Sequence, residues 1–161
     1  MLTFEEANSM FRYEPSSGHV IWKAGKFAGH RAGSLHKTVG YRQIKVGKKY
    51  VYEHRVIMLL IHGPLPKGIQ VDHITHDRTD NRLENLRLVT HTENGRNVKM
   101  PSTNTTGVIG TTYIKRADRY VAQIHIKGVN HYLGCFKTLE EAAAARAEAE
   151  IKYGFHPNHG L

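Results

Sequence analysis

The chain has 161 residues, 40% of them apolar, with a net charge of +9 and one cysteine, Cys135. That length and composition suit one or two small domains with modest cores. The lone cysteine excludes a disulfide framework and a Cys-based zinc site and fits a reducing compartment. No apolar run approaches the roughly 20 residues of a membrane span, and the acidic, amphipathic start MLTFEEANSMF does not read as a signal peptide. A cytoplasmic, non-secreted protein without membrane contact is expected. The charge is uneven: residues 1–50 carry nine Lys/Arg against three Asp/Glu. A basic first third of this kind points to a polyanionic partner.

Taken in chain order, residues 3–13 read as a short helix, with Thr3 as cap and Glu6 three residues on. PSSG (15–18) is a turn, and HVIWK (19–23) reads as a strand. Residues 40–46 alternate with period two: Tyr41, Gln43 and Lys45 on one face, Arg42, Ile44 and Val46 on the other. Gly47-Lys48 makes the hairpin turn and Tyr50–Tyr52 the return strand. EHRVIMLLIHG (53–63) is an apolar helix closed by Gly63 and Pro64. IQVDHI (69–74) and LRLV (86–89) are strands flanking the loop HDRTDN (76–81), and 91–99 is a short helix.

MPSTNTTG (100–107) is uncharged and rich in Ser, Thr and Asn, as a domain boundary would be. Three strands follow, at 107–115, 119–126 and 130–136, with turns at Asp118 and Gly128. TLEEAAAARAEAEIKYG (138–154) is a helix with a Thr138/Glu141 capping box and the apolar stripe Leu139, Ala142, Ala145, Ala149, Tyr153. Here the charge separates: residues 107–137 hold five Lys/Arg and one Asp, whereas 138–161 hold two Lys/Arg against four Glu. The sheet is basic and the helix acidic, so a nucleic acid would meet the sheet. The fold class is α+β: a basic N-terminal β region (1–52) with a small antiparallel sheet, a central core (53–100), a linker (101–106), and a three-stranded sheet packed on one helix (107–161).

The chemistry concentrates in VDHITHDRTDNRLENLRLVTHTEN (71–94). Asp72 offers a hard oxygen to a divalent cation. His73 titrates near neutral pH and can serve as general base for water. Adjacent strand residues point to opposite faces, so both reach one site only where the strand bends or ends. Asn94 offers a neutral carbonyl oxygen to the same cation, and the Asn85 amide can tie the loop and hold the His73 backbone. One carboxylate and one amide make a thin shell, which suits Mg²⁺ in the presence of a phosphodiester. Arg87, Arg96 and Lys99 are candidates for phosphate contacts. His54, His62, His76 and His91 read as structural or solvated.

The stretch from about His54 to Asn97 resembles the HNH endonucleases, whose unit is a two-stranded hairpin and a helix around one metal (the ββα-metal motif). The resemblance rests on EHRVIMLLIHGPLPKGIQVDHI, on DNRLENLRLVT and on Asn94. It implies His73 as general base, Asp72 and Asn94 as metal ligands, and Asn85 as structural support of the hairpin. His91 lies only six residues beyond Asn85 and is not the third member. This H-N-N variant is similar to the phage and intron-encoded branch of the family. The resemblance implies one divalent ion, Mg²⁺ or Mn²⁺, and hydrolysis of duplex DNA to 5′-phosphate and 3′-hydroxyl ends. A monomer would nick one strand; a double-strand break would need a homodimer or two events. The family's paired CxxC zinc ligands are missing, so no structural zinc is expected.

Residues 104–153 resemble an Apetala-two-type DNA-binding domain through NTTGVIGTTYIK, RYVAQIHIKG and HYLGCFKTLEEAAAA. Its sheet enters the major groove, which implies contacts from Arg116, Arg119, Gln123, His125, Lys127 and Tyr132. Tyr120 stands where that family usually has Trp. Together the two resemblances describe a homing-like or phage-encoded DNA endonuclease. The rivals are a non-catalytic DNA-binding regulator with a degenerate nuclease core, and a nuclease directed at RNA. A purely structural virion protein would need none of Asp72, His73, Asn85 and Asn94.

Overall fold

The computed structural model describes residues 2–161 and divides the chain into two compact units, Met1–His91 and Thr92–Leu161. The architecture is α+β, with small antiparallel sheets and four α-helices among the described residues. No helix among them is long and apolar enough to cross a membrane.

In the first unit, α1 (Phe4–Met10) starts on a reciprocal cap: the Thr3 hydroxyl accepts from the Glu6 N–H, and the Glu6 carboxylate accepts from the Thr3 N–H. The helix expected over 3–13 ends three residues early. Phe11–Glu14 is instead strand β1, paired antiparallel with β2 (His19–Trp22), with Phe11 opposite Trp22. Extended backbone puts the fully buried Phe11 ring 4.6 Å from that of Trp22. A second sheet holds β3 (Ser34–Leu35), β4 (Arg42–Val46) and β5 (Lys49–Tyr52) in the order β3-β4-β5. Ile44 is the buried residue of β4, as alternation required.

Helix α2 (Glu53–His62) is the centre of this unit, packing on α1, β1, β2, β4, β5 and β6. Its N-terminal half is buried at Glu53, His54, Val56, Ile57 and Met58, and it stops at Gly63 with φ 73°. Ala7, Phe11, Val20, Ala32, Ile44 and Leu86 close the core around it. Beyond it, β6 (Ile69–His73) and β7 (Leu86–Thr90) form a two-stranded antiparallel hairpin with Asp72 opposite Arg87 and His73 opposite Leu86.

Helix α3 spans only His91–Asn94, shorter than the 91–99 helix expected. The segment that follows is bonded to the C-terminal tail: the His156 N–H donates to Arg96 O (3.0 Å) and the Gly160 N–H to Val98 O (2.9 Å). Residues 92–106 therefore belong to the second unit, although composition singled out 101–106 as a linker. That stretch is a turn in which Asn104 Oδ1 accepts from the Thr106 and Gly107 N–H groups.

The second unit is an antiparallel sheet in the order β10-β9-β8, with β8 at Thr111–Ile114, β9 at Arg119–Ile126 and β10 at Val129–Phe136. Helix α4 (Leu139–Lys152) covers one face and opens on a Thr138/Glu141 capping box. Ala122 and Ile124 of β9 are buried, as are Ala142 and Ala149 of α4. Arg146 is buried on the same helix face.

Candidate active site

The β6–β7 hairpin carries Asp72 and His73 at the end of β6, and alternation gives them different surroundings. Asp72 is 8% exposed. Its Oδ2 accepts from Arg87 Nε (3.0 Å) and from an Arg87 terminal nitrogen (2.9 Å). Arg87, singled out as a phosphate contact, is thus the ion-pair partner of Asp72 across the hairpin.

His73 is also buried and faces the helix and the loop. Its Nε2 lies 2.9 Å from Asn81 Oδ1. Asn81 Nδ2 donates to Glu53 Oε2 at 3.0 Å. Glu53, the first residue of α2, is fully buried. Its Oε2 also meets Arg31 (3.1 Å) and Arg42 Nε (3.0 Å), and its Oε1 accepts from the Val20 N–H (3.1 Å). The Tyr13 hydroxyl donates to Asn81 O and accepts from the Leu83 N–H, which steadies the loop at the same point. The N-terminal β region is therefore built into the support of His73, whatever else its charge does.

Aromatic rings enclose His73 on another side. His54 lies edge-on at 5.1 Å and Tyr41 at 5.7 Å, with the Arg78 guanidinium over Tyr41. Burial holds the His73 pKa below the ordinary histidine value, opposed by the Asn81 hydrogen bond and by Asp72. Burial pushes His54 down to about 3, with the charges of His73 and Arg55 adding to the effect. Between two tyrosine rings, His54 stays neutral near pH 7.

Asn85 sits at the end of a 3₁₀ turn (Leu83–Asn85) and is 2% exposed. Its Oδ1 accepts from Thr75 N (2.8 Å) and Thr75 Oγ1 (2.8 Å), and its Nδ2 donates to Asp80 O (2.8 Å) and Asp77 O (3.3 Å). Its carbonyl accepts from Ile74 N at 2.8 Å. One side chain and one carbonyl thus tie both ends of the 74–85 loop and fix the backbone directly after His73.

Asn94, the last residue of α3, lies in the second unit with Arg96 and Lys99. Arg96 is half-buried over Phe155, and Lys99 is exposed. Among the described residues no three His, Cys, Asp or Glu side chains gather into a metal-holding group. The motif, however, asks for one carboxylate and one amide oxygen. Asp72 is the carboxylate of such a donor set, and both Arg87 contacts fall on its Oδ2. Hard oxygen donors of this kind suit Mg²⁺ or Mn²⁺.

In the second unit Arg116, Gln123, His125, Lys127 and Tyr132 are exposed and Arg119 is half-exposed. Gln123 and Tyr132 are cross-strand partners, and His125 Nδ1 contacts Asn130 Oδ1 at 2.8 Å. Gln123 and His125 alternate with the buried Ala122 and Ile124, so they occupy the face away from α4. Sequence reasoning missed Glu53 as a site residue and left Asn81 as part of the 76–81 loop. The available signal was position: Glu53 shares a helix face with Val56 and Ile57 and is placed to be buried.

Known proteins resemble the segment that carries this hairpin. A sequence model of the HNH endonuclease family matches residues 51–96, which span α2 and the β6–β7 hairpin. The chain is 34% identical to Protein 3.8 of Escherichia phage T7 over 82 residues, 51% of this chain and 68% of that protein. It is 37% identical to an uncharacterized HNH endonuclease of Acanthamoeba polyphaga mimivirus over 91 residues, 56% of this chain but only 46% of that protein. The solved structure of the HNH homing endonuclease I-HmuI, described for DNA binding and cleavage, aligns with a TM-score of 0.44 and 22% identity, covering 76% of this chain and 71% of that one. The chain belongs to the HNH endonuclease family and is a nuclease of the hydrolase class.

Proposed function

We propose that the protein is a metal-dependent DNA endonuclease that cuts or nicks duplex DNA inside the host cell of a phage or mobile element. The observation that carries this reading is the end of β6. A histidine held neutral by burial and oriented by an amide follows directly on a buried aspartate, inside the segment that matches the family.

His73 takes a proton from the attacking water. Asp72 and Asn94 supply oxygen ligands to one divalent ion, Mg²⁺ or Mn²⁺, and Asn85 holds the loop that carries His73. When bound, the ion would steady the charge developing on the phosphate and leaving oxygen. Hydrolysis leaves 5′-phosphate and 3′-hydroxyl ends. Arg96 and Lys99 contact phosphate, and Arg87 does so when it releases or shares Asp72. The second unit acts as an Apetala-two-like module, whose exposed sheet face reads duplex DNA through Arg116, Arg119, Gln123, His125, Lys127 and Tyr132. Its basic sheet and acidic helix support that orientation.

Incubating supercoiled plasmid with the full chain and Mg²⁺ or Mn²⁺ tests this reading. Nicking that disappears in His73→Ala and in EDTA is the expected outcome. Tight DNA binding without cutting, across a broad set of DNAs, would instead identify a regulator with an inactive core.

A further inference from the structure

His73 has two ring nitrogens, and a neutral imidazole carries its proton on only one of them. The side chains around Nε2 settle which one. Glu53 Oε2 lies between the guanidinium groups of Arg31 and Arg42, so it accepts hydrogen bonds and does not donate them. Asn81 must then turn its NH₂ group toward Glu53, at 3.0 Å. That leaves the Asn81 oxygen toward His73, at 2.9 Å, and an amide oxygen can only accept. Nε2 must therefore be the protonated nitrogen, which leaves the basic lone pair on Nδ1. All three side chains are almost completely buried, so water cannot substitute for a missing partner.

We propose that Asn81 and Glu53 are positioning residues for the hydrolytic step: the chain Glu53–Asn81–His73 locks the imidazole as its Nε2–H tautomer and assigns proton uptake to Nδ1. The inference rests on His73 as general base, and it adds the residues that choose the basic nitrogen. The choice originates outside the hairpin: Arg31 and Arg42 come from the N-terminal β region and Glu53 from the head of α2. The first 52 residues thus have a task in the reaction that does not depend on touching DNA.

The test uses the full ¹⁵N-labelled chain above neutral pH, without DNA or metal. Long-range ¹H–¹⁵N correlation spectra distinguish a protonated from a lone-pair imidazole nitrogen. Wild-type His73 should show Nε2 protonated. Asn81→Leu should show mixed tautomers and, in single-turnover plasmid cleavage, a rate lower by about 10- to 100-fold, with DNA affinity unchanged. Asn81→Asp keeps an acceptor for His73 but sets a second carboxylate against Glu53. It should retain the Nε2–H form and cut faster than Asn81→Leu, although it is the less stable variant. A purely structural role predicts the reverse ranking. A wild-type ring protonated on Nδ1, or an even mixture, overturns the relay whether or not the protein cuts, and that measurement needs no variant to fold. A wild-type Nε2–H ring in a protein that cuts no DNA would instead overturn the nuclease reading.

Discussion

Among the described residues each unit has one Asp, Glu, Lys or Arg that is less than 5% exposed, and the two are used differently. In the first unit it is Glu53, fully buried, hydrogen-bonded to Val20 N, Arg31 and Asn81 and ion-paired with Arg42. In the second it is Arg146, 4% exposed, which donates to Gln123 O (2.7 Å) and Glu150 (2.8 Å) and contacts His159 Nε2 (3.3 Å) beside the Phe155 ring. Both satisfy the rule that a buried charge needs partners. Arg146 spends its hydrogen bonds on a strand carbonyl, its own helix and the C-terminal tail, so its product is stability. Glu53 accepts from Asn81, which in turn meets the His73 imidazole, so Glu53 contributes to stability and to the orientation of that ring together.

Removing each charge is the largest test of this contrast. Glu53→Leu and Arg146→Leu should each cost about 3–5 kcal/mol, because either change strands buried partners. Trp22, the only tryptophan, reports the first unit through its contact with Phe11. Its fluorescence midpoint in denaturant should fall in Glu53→Leu. Arg146→Leu should instead lower amide-exchange protection in β9 and α4. Only Glu53→Leu should alter the tautomer of His73. An unchanged tautomer there would reduce Glu53 to the same role as Arg146.

Acid offers a second way to separate the units. His54 is neutral in the fold, with its pKa pushed down to about 3 from an ordinary 6.5. As pH falls through 6.5 the unfolded chain takes up a proton that the folded chain refuses. His54 therefore contributes its full stability above pH 6.5 and loses it progressively down to about 3, at roughly 1.4 kcal/mol per pH unit. His73, also shifted downward, acts in the same direction. Trp22-monitored unfolding across this range should show the slope, and His54→Phe should flatten it.

A pair of glycines gives a smaller effect. Gly18 has φ 70°, and a Cβ there would meet Arg82 N at 2.7 Å and Asn81 C at 2.9 Å. Gly128 has φ 85° with open space around it. Alanine at Gly128 should cost only the backbone strain, about 1–2 kcal/mol. Alanine at Gly18 should cost more in denaturation, and it should also slow cutting by moving Asn81.

Local signals made much of this legible. Both capping boxes, the Gly47 turn, the Gly63 stop and the period-two strands are each written within a few residues. Asp72, His73 and Asn85 were marked by their spacing, and Asn85 proves to tie the loop through five short-range hydrogen-bond contacts. What stayed hidden depends on distant pairing. β1 forms because Phe11 meets Trp22, against a helical pattern that ran through it. The role of Asn81 depends on Glu53, 28 positions earlier, and that of Glu53 on Val20, 33 positions earlier. Arg146 was masked by its alanine neighbours, although it lies four residues after Ala142 and three before Ala149 on the buried face.

The two capping boxes provide the finest comparison, since their chemistry is the same. Thr3 and Thr138 each accept from the N–H of a glutamate three residues on, and each glutamate bonds back to the cap residue. Alanine at either cap should cost about 1 kcal/mol locally, and serine should restore most of it. The helices differ in length and anchorage. α4 has 14 residues and buries Ala142, Arg146 and Ala149, whereas α1 has seven and buries only Ala7. Loss of the α4 cap should therefore be felt by its whole unit, with exchange protection falling together in α4 and β9. Loss of the α1 cap should mostly fray α1 itself, raising exchange at its amides while the Trp22 midpoint moves by less than the local cost. An equal fall in that midpoint would show that α1, despite its seven residues, unfolds only with the core that holds Glu53 and His73.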